Sequence, residues 1–144
     1  MSSPPRGTYA LLIRLRHDTT IAVGRLGTFR FPAGYYVYVG SALGPGGLRA
    51  RLARHVRQRK ALHWHIDYLL AHAETVGVRT EESGQRLECV WARALLSMPG
   101  AQVVALGMGA SDCGCPSHLI HFASNKPVWW AEQLGQDTSL CSQA

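Results

Sequence analysis

Residues 35–40 read YYVYVG, aromatic and β-branched throughout, and this is the strongest strand signal in the chain. Gly40 ends it. Upstream, residues 8–15 (TYALLIRL) run apolar and β-prone without helical spacing, the pattern of a buried strand. After the turn formers His17 and Asp18, TTIAVG at 19–24 predicts a second strand paired with the first as a hairpin, and GTFRFPAG at 27–34 reads as a connection. Downstream, SALGPGG at 41–47 is a loop by its Gly and Pro content. GLRARLARHVRQRK at 47–60 then places Leu48, Leu52 and Val56 at spacing four, an apolar stripe on a basic helix.

Beyond it, residues 63–73 (HWHIDYLLAHA) predict a second helix, 75–80 (TVGVRT) a short strand and 81–84 (EESG) a turn. Leu87, Val90, Trp91, Ala94, Leu95 and Met98 recur at helical spacing and predict an amphipathic helix packed on a sheet. AQVVALG (101–107) and SHLIHFA (117–123) read as edge strands around the turn SDCGCP, and Pro127 opens a last short helix. The expected architecture is an α/β (α+β) domain over residues 7–135. Helices flank a small, mainly antiparallel three-stranded sheet, with a disordered tail at 1–6 and a flexible one at 136–144.

A chain of 144 residues has room for one core. With 47% hydrophobic and 17% charged residues it is neither disordered nor rich enough in apolar runs for a membrane helix, which needs roughly 18. The N-terminal residues lack the pattern of a secretory signal, because Arg14 and Arg16 interrupt it, so a cytoplasmic location is expected. In that compartment Cys89, Cys113, Cys115 and Cys141 are expected as thiols or metal ligands rather than disulfides. Charge is one-sided. Residues 1–66 carry 11 Lys and Arg against the single acid Asp18, a balance of +10, and the remainder carries 4 bases and 8 acids, a balance of −4. A polyanionic partner, nucleic acid and most simply DNA, explains such a field better than solubility does. Arg49, Arg54, Arg57, Arg59 and Lys60 are the candidate contacts.

Two strands carry tyrosines at their ends: Gly7, Thr8, Tyr9 opens the first, and Tyr38, Val39, Gly40 closes the YYVYVG strand about thirty residues later. This pairing resembles the GIY-YIG nuclease superfamily, with GTY and YVG in the places of its two signatures. Arg51 and His55 on the following helix and Glu88 on a later one occupy positions similar to that family's helical arginine, histidine and metal-binding glutamate. Ser41 and Ala42 and the extra histidine His63 are similar to features of its homing-type members, and Asn125 is the one counterpart of its late asparagine. HWHID and the DC-x-C-x-SHL-like segment resemble an uncharacterised single-domain prokaryotic branch. The resemblance implies an endonuclease hydrolysing phosphodiester bonds with Mg2+ or Mn2+ held by Glu88. Tyr9 would be the general base, Tyr38 would fix water or phosphate, and Arg51 and His55 would lie on one helix face at the phosphate. No separate recognition module is evident, so specificity would come from substrate structure or a protein partner.

The residue chemistry offers the same parts independently: a cation for the phosphate, bases, and a carboxylate for a hard metal. A free tyrosine with a pKa of about 10 is a poor base at neutral pH, so His55 is the alternative to Tyr9. Two other readings stay open. One is a non-catalytic nucleic-acid-binding module of the same fold. The other is a zinc or thiol module centred on Cys113, Cys115 and His118, with His65 or Cys89 completing four ligands.

Overall fold

A computed structural model describes residues 5–42, 46–56, 64–82, 87–109 and 115–123. Its elements run β1 (Gly7–Leu15), β2 (Thr19–Val23), β3 (Gly27–Phe31), β4 (Gly34–Ala42), α1 (Gly47–Val56), α2 (His65–Leu70), β5 (Glu74–Glu82), α3 (Glu88–Leu96) and β6 (Leu119–Phe122). The α+β class and the antiparallel sheet are as expected. The central sheet, however, has four strands in the order β5-β1-β4-β6, all antiparallel, and β2 and β3 form a separate two-stranded ribbon.

Both differences from the sequence expectation follow from burial. β1 and β4 are the two inner strands and are covered on both faces, which is why they read as continuous apolar runs rather than alternating ones. On one face Tyr9, Leu11, Ile13 and Leu15 join Tyr36 and Tyr38 under α1 and α2; on the other Ala10, Leu12, Val37 and Val39 pack with Trp91, Ala92 and Leu95 of α3. Each such Leu or Ile side chain contributes about 1.5–3 kcal/mol by leaving water. A strand buried on both faces needs a neighbour on each edge. β4 and β5 supply them for β1, so TTIAVG turns instead onto GTFRF through a tight turn closed by Leu26 N–H donating to the Val23 carbonyl at 2.9 Å. β5, expected as a short strand, extends to nine residues along β1. Of the two expected edge strands, the second is β6, whereas Gln102 contributes only an isolated bridge to His121.

The stripe of α1 holds Leu48 and Leu52 against the first core as expected, and His55 is buried with them. α2 begins where Asp67 accepts the Trp64 backbone N–H at 2.8 Å, the helix-start half of a capping box. The helix expected at 127–135, residues 1–4, the C-terminal tail and Asn125 lie outside the described residues, while Pro5 of the expected N-terminal tail accepts the Leu48 backbone N–H at 2.8 Å. No helix among the described residues is long and apolar enough to cross a membrane.

Candidate active site and thiol cluster

Strand register assembles the first cluster. In the β1–β4 ladder Tyr9 lies opposite Gly40 and Leu11 opposite Tyr38, so the two tyrosines are diagonal neighbours on one face, their ring centroids 6.4 Å apart. The glycines of the two tripeptides have distinct steric duties. A Cβ on Gly40 would overlap the Tyr9 phenol, within 2.5 Å of Cζ, so Tyr9 lies across the bare backbone of β4. A Cβ on Gly7 would collide with the Glu81 carbonyl oxygen of the paired strand β5.

His55 on α1 closes the group. Its Nε2 lies 2.7 Å from the Tyr9 hydroxyl, and its ring is 5.3 Å from Tyr9, 6.2 Å from Tyr38 and 5.5 Å from Trp64. All three polar rings are buried: Tyr9 is 1% exposed, His55 2% and Tyr38 8%. Burial pushes the Tyr9 phenol up to about 12; the charge and hydrogen bonding of Arg51 pull it the other way, and Glu88 and Asp67 add to the rise. Burial also raises Tyr38 well above its ordinary value, with the Tyr9 and Glu88 charges adding. Both phenols are therefore neutral at pH 7, and across the 2.7 Å contact the phenol oxygen and Nε2 share one proton.

Arg51 donates from Nη1 to the Ser41 carbonyl at 3.0 Å and stacks over Trp64, its Cζ 4.3 Å from the ring centre. Arg54, expected among the nucleic-acid contacts, is used inside the fold instead. It grips Asp67 with two hydrogen bonds of 2.9 Å each and lies 4.0 Å over the same Trp64 ring, because Asp67 is fully buried and needs a counter-charge. Arg49 is exposed. Arg57, Arg59, Lys60 and His63 lie outside the described residues. The sequence reading did not single out Trp64, which carries both guanidiniums; the signal was present in W-x-x-D, a helix start whose third residue is an acid.

Glu88 is the first residue of α3, half-buried, and its charge is felt by Tyr9, Tyr38 and His118. Thr8 of the GTY tripeptide, fully buried, accepts the N–H of Leu87 at 3.2 Å and so ties the start of α3 to β1. A cleft of about 600 Å3 runs along Arg14, Arg16, His17, Leu70 and His72, and of the phenol cluster His55 alone lines it.

The second cluster is Cys89, Cys115 and His118, which could hold a metal ion: one ligand atom from each lies within 4.8 Å of the others, with Cys89 Sγ 3.7 Å from His118 Nε2. Burial lowers the His118 pKa, favouring the neutral ring. Cys113 lies outside the described residues. His65 is not in this group; its Nδ1 accepts the Gly109 N–H at 3.1 Å.

The family model described as Domain of unknown function DUF123 matches residues 8–137. The chain belongs to the DUF123 family. The match spans both clusters, from Thr8 of the first strand through the segment of Cys115 and His118. No curated protein and no solved structure matches this DUF123 domain.

Proposed function

We propose that this DUF123 domain binds nucleic acid, most simply DNA, and hydrolyses its phosphodiester bonds as a GIY-YIG-like endonuclease using a divalent cation. The observation that carries this reading is the convergence of Tyr9, Tyr38 and His55, from two strands and a helix, with Glu88 close enough to act on both phenols. A single half-buried carboxylate fits Mg2+ or Mn2+, hard ions that take one or two carboxylates together with substrate phosphates. When bound at Glu88, such an ion would neutralise the charge developing on the phosphate.

The chain's own residues supply the rest. With Tyr9 near 12, direct loss of its proton to water is unfavourable at neutral pH, so the phenol acts as a relay: it accepts a proton from the attacking water as it passes its own to His55 Nε2. Tyr38 supplies a second neutral hydroxyl beside it. Arg51 spends Nη1 on Ser41 and retains other donors of its five for a phosphate oxygen. Arg14 brings positive charge to the adjoining cleft, where Arg16 is paired with Glu74, and a strand could track along it.

The test incubates the purified chain with labelled branched, nicked and single-stranded DNA, and with RNA, in Mg2+ or Mn2+. Arg51→Ala is expected to lower the cleavage rate about 100- to 1000-fold, the usual loss for one preorganised donor, and Glu88→Ala to abolish metal-dependent cleavage. Cleavage that survives both changes rejects the assignment. Binding that weakens linearly with log salt, without cleavage under any metal, would mark a non-catalytic nucleic-acid-binding module.

A further inference from the structure

We propose that Cys89, Cys115 and His118 form a zinc site that staples the first turn of α3 to the segment entering β6. The chemistry of the donors selects the ion. Two thiolates and an imidazole are soft and borderline ligands, suited to Zn2+ and unsuited to the hard ions that a carboxylate such as Glu88 attracts.

Geometry agrees. Zinc with a thiolate at about 2.3 Å and an imidazole at about 2.0–2.1 Å in a tetrahedron separates sulfur and nitrogen by about 3.6 Å. Cys89 Sγ and His118 Nε2 stand 3.7 Å apart, and Cys115 Sγ is within 4.8 Å of both, so the ion requires only small side-chain adjustments. Cys115 and His118 are buried and Cys89 half-buried, which shields the ion without sealing it off. The scaffold around the imidazole is already fixed: the His118 backbone donates to Met108 and accepts from Val39, each at 2.9 Å. Three protein ligands leave one position of the tetrahedron open.

The staple has a structural purpose. α3 lies across one face of the sheet, and its described anchor at the N-terminus is the hydrogen bond from Leu87 to Thr8. An ion joining Cys89 to Cys115 and His118 pins that same turn to the other side of β4, with Glu88 held between the two tethers. This site stands whether or not the chain cleaves nucleic acid.

The experiment uses the full chain purified under reducing conditions with zinc in the growth medium. Elemental analysis after dialysis is expected to find one zinc ion per chain. Replacement by Co2+ is expected to give thiolate-to-metal charge-transfer absorption in the near ultraviolet. Alkylation mapped by mass spectrometry should then find Cys89 and Cys115 protected with zinc and reactive after chelation. His118→Ala should lose zinc on dialysis; because Cys115→Ser risks the fold, the cobalt spectrum of the unaltered chain carries the test without it. No retained zinc together with a cobalt spectrum lacking thiolate absorption overturns the proposal. So does bound zinc that leaves Cys89 and Cys115 equally reactive.

Discussion

The phenol cluster, buried throughout, and the thiol cluster, with Cys89 half-buried, lie at the same end of β4, yet they are built by different means. Tyr9 and Tyr38 are set by strand register, one opposite Gly40 and the other a diagonal step away, and His55 arrives on the buried stripe of α1. Their positions follow from periodicity. Cys89, Cys115 and His118 come from a helix start and an irregular segment before β6, where no repeat governs which side chains meet. Regular elements therefore position the first cluster, while the second is brought together where the start of α3 packs beside the segment before β6.

The largest effect that separates the two regions lies beneath the first. Asp67 is fully buried, accepts two hydrogen bonds from Arg54 and one from the Trp64 backbone, and through Arg54 braces α1 against α2. Asp67→Ala removes the carboxylate that accepts from Arg54 and from the Trp64 N–H, and is expected to cost about 3–5 kcal/mol in urea or thermal unfolding. Arg16→Ala breaks a pair whose side chains are 63% and 48% exposed and should cost at most about 1 kcal/mol. Equal losses from the two changes would mean that α1 is not braced through Asp67, and that the phenol cluster is less preorganised than its register implies.

The next effect is alkaline. Tyr9, Tyr36 and Tyr38 all have phenols raised by burial above the ordinary value of 10. Above that pH the unfolded chain releases these protons while the folded chain still holds them, so stability present in full below pH 10 falls as pH rises, through about 12 for Tyr9. Unfolding free energy measured from pH 8 upward should decline from about pH 10. An ultraviolet titration should show Tyr9, Tyr36 and Tyr38 ionising late. Tyr9→Phe should flatten the decline between pH 10 and 12; an unchanged slope would show that water reaches the Tyr9 hydroxyl freely.

The same contrast explains what the sequence made legible. Tyr9, Tyr38, Arg51 and His55 are singled out by resemblance to two strand-end signatures and a following helix, and strand register with a spacing of four residues then fixes which faces they share. Arg54 could not be told from its basic neighbours, since nothing on its own helix announces that Asp67, on the next one, takes its charge. Likewise β2 and β1 each looked like half of a hairpin. Only burial of β1 on both faces, a property of the whole sheet, sends β2 to β3. Among the cysteines, local spacing favoured the Cys113 and Cys115 pair, whereas Cys89 joins Cys115 across 26 positions by the packing of α3, which no local pattern encodes.

Thr8 is the smallest of these effects and bears on both clusters, because it ties the turn that carries Glu88 and Cys89. Its hydroxyl is the one polar group of a fully buried β-branched side chain. In the fold that hydroxyl accepts the Leu87 N–H from 79 residues away. Thr8→Val keeps the β-branched shape and removes the acceptor, which should cost about 1 kcal/mol and, for a chain of this size, lower the melting temperature by about 3 °C. Thr8→Ser should restore most of it. If zinc also tethers this turn, the loss in Thr8→Val should grow when the metal is chelated, since each tether limits the freedom that breaking the other releases. A loss that is identical with and without chelator would show that the two anchors act on separate parts of the structure.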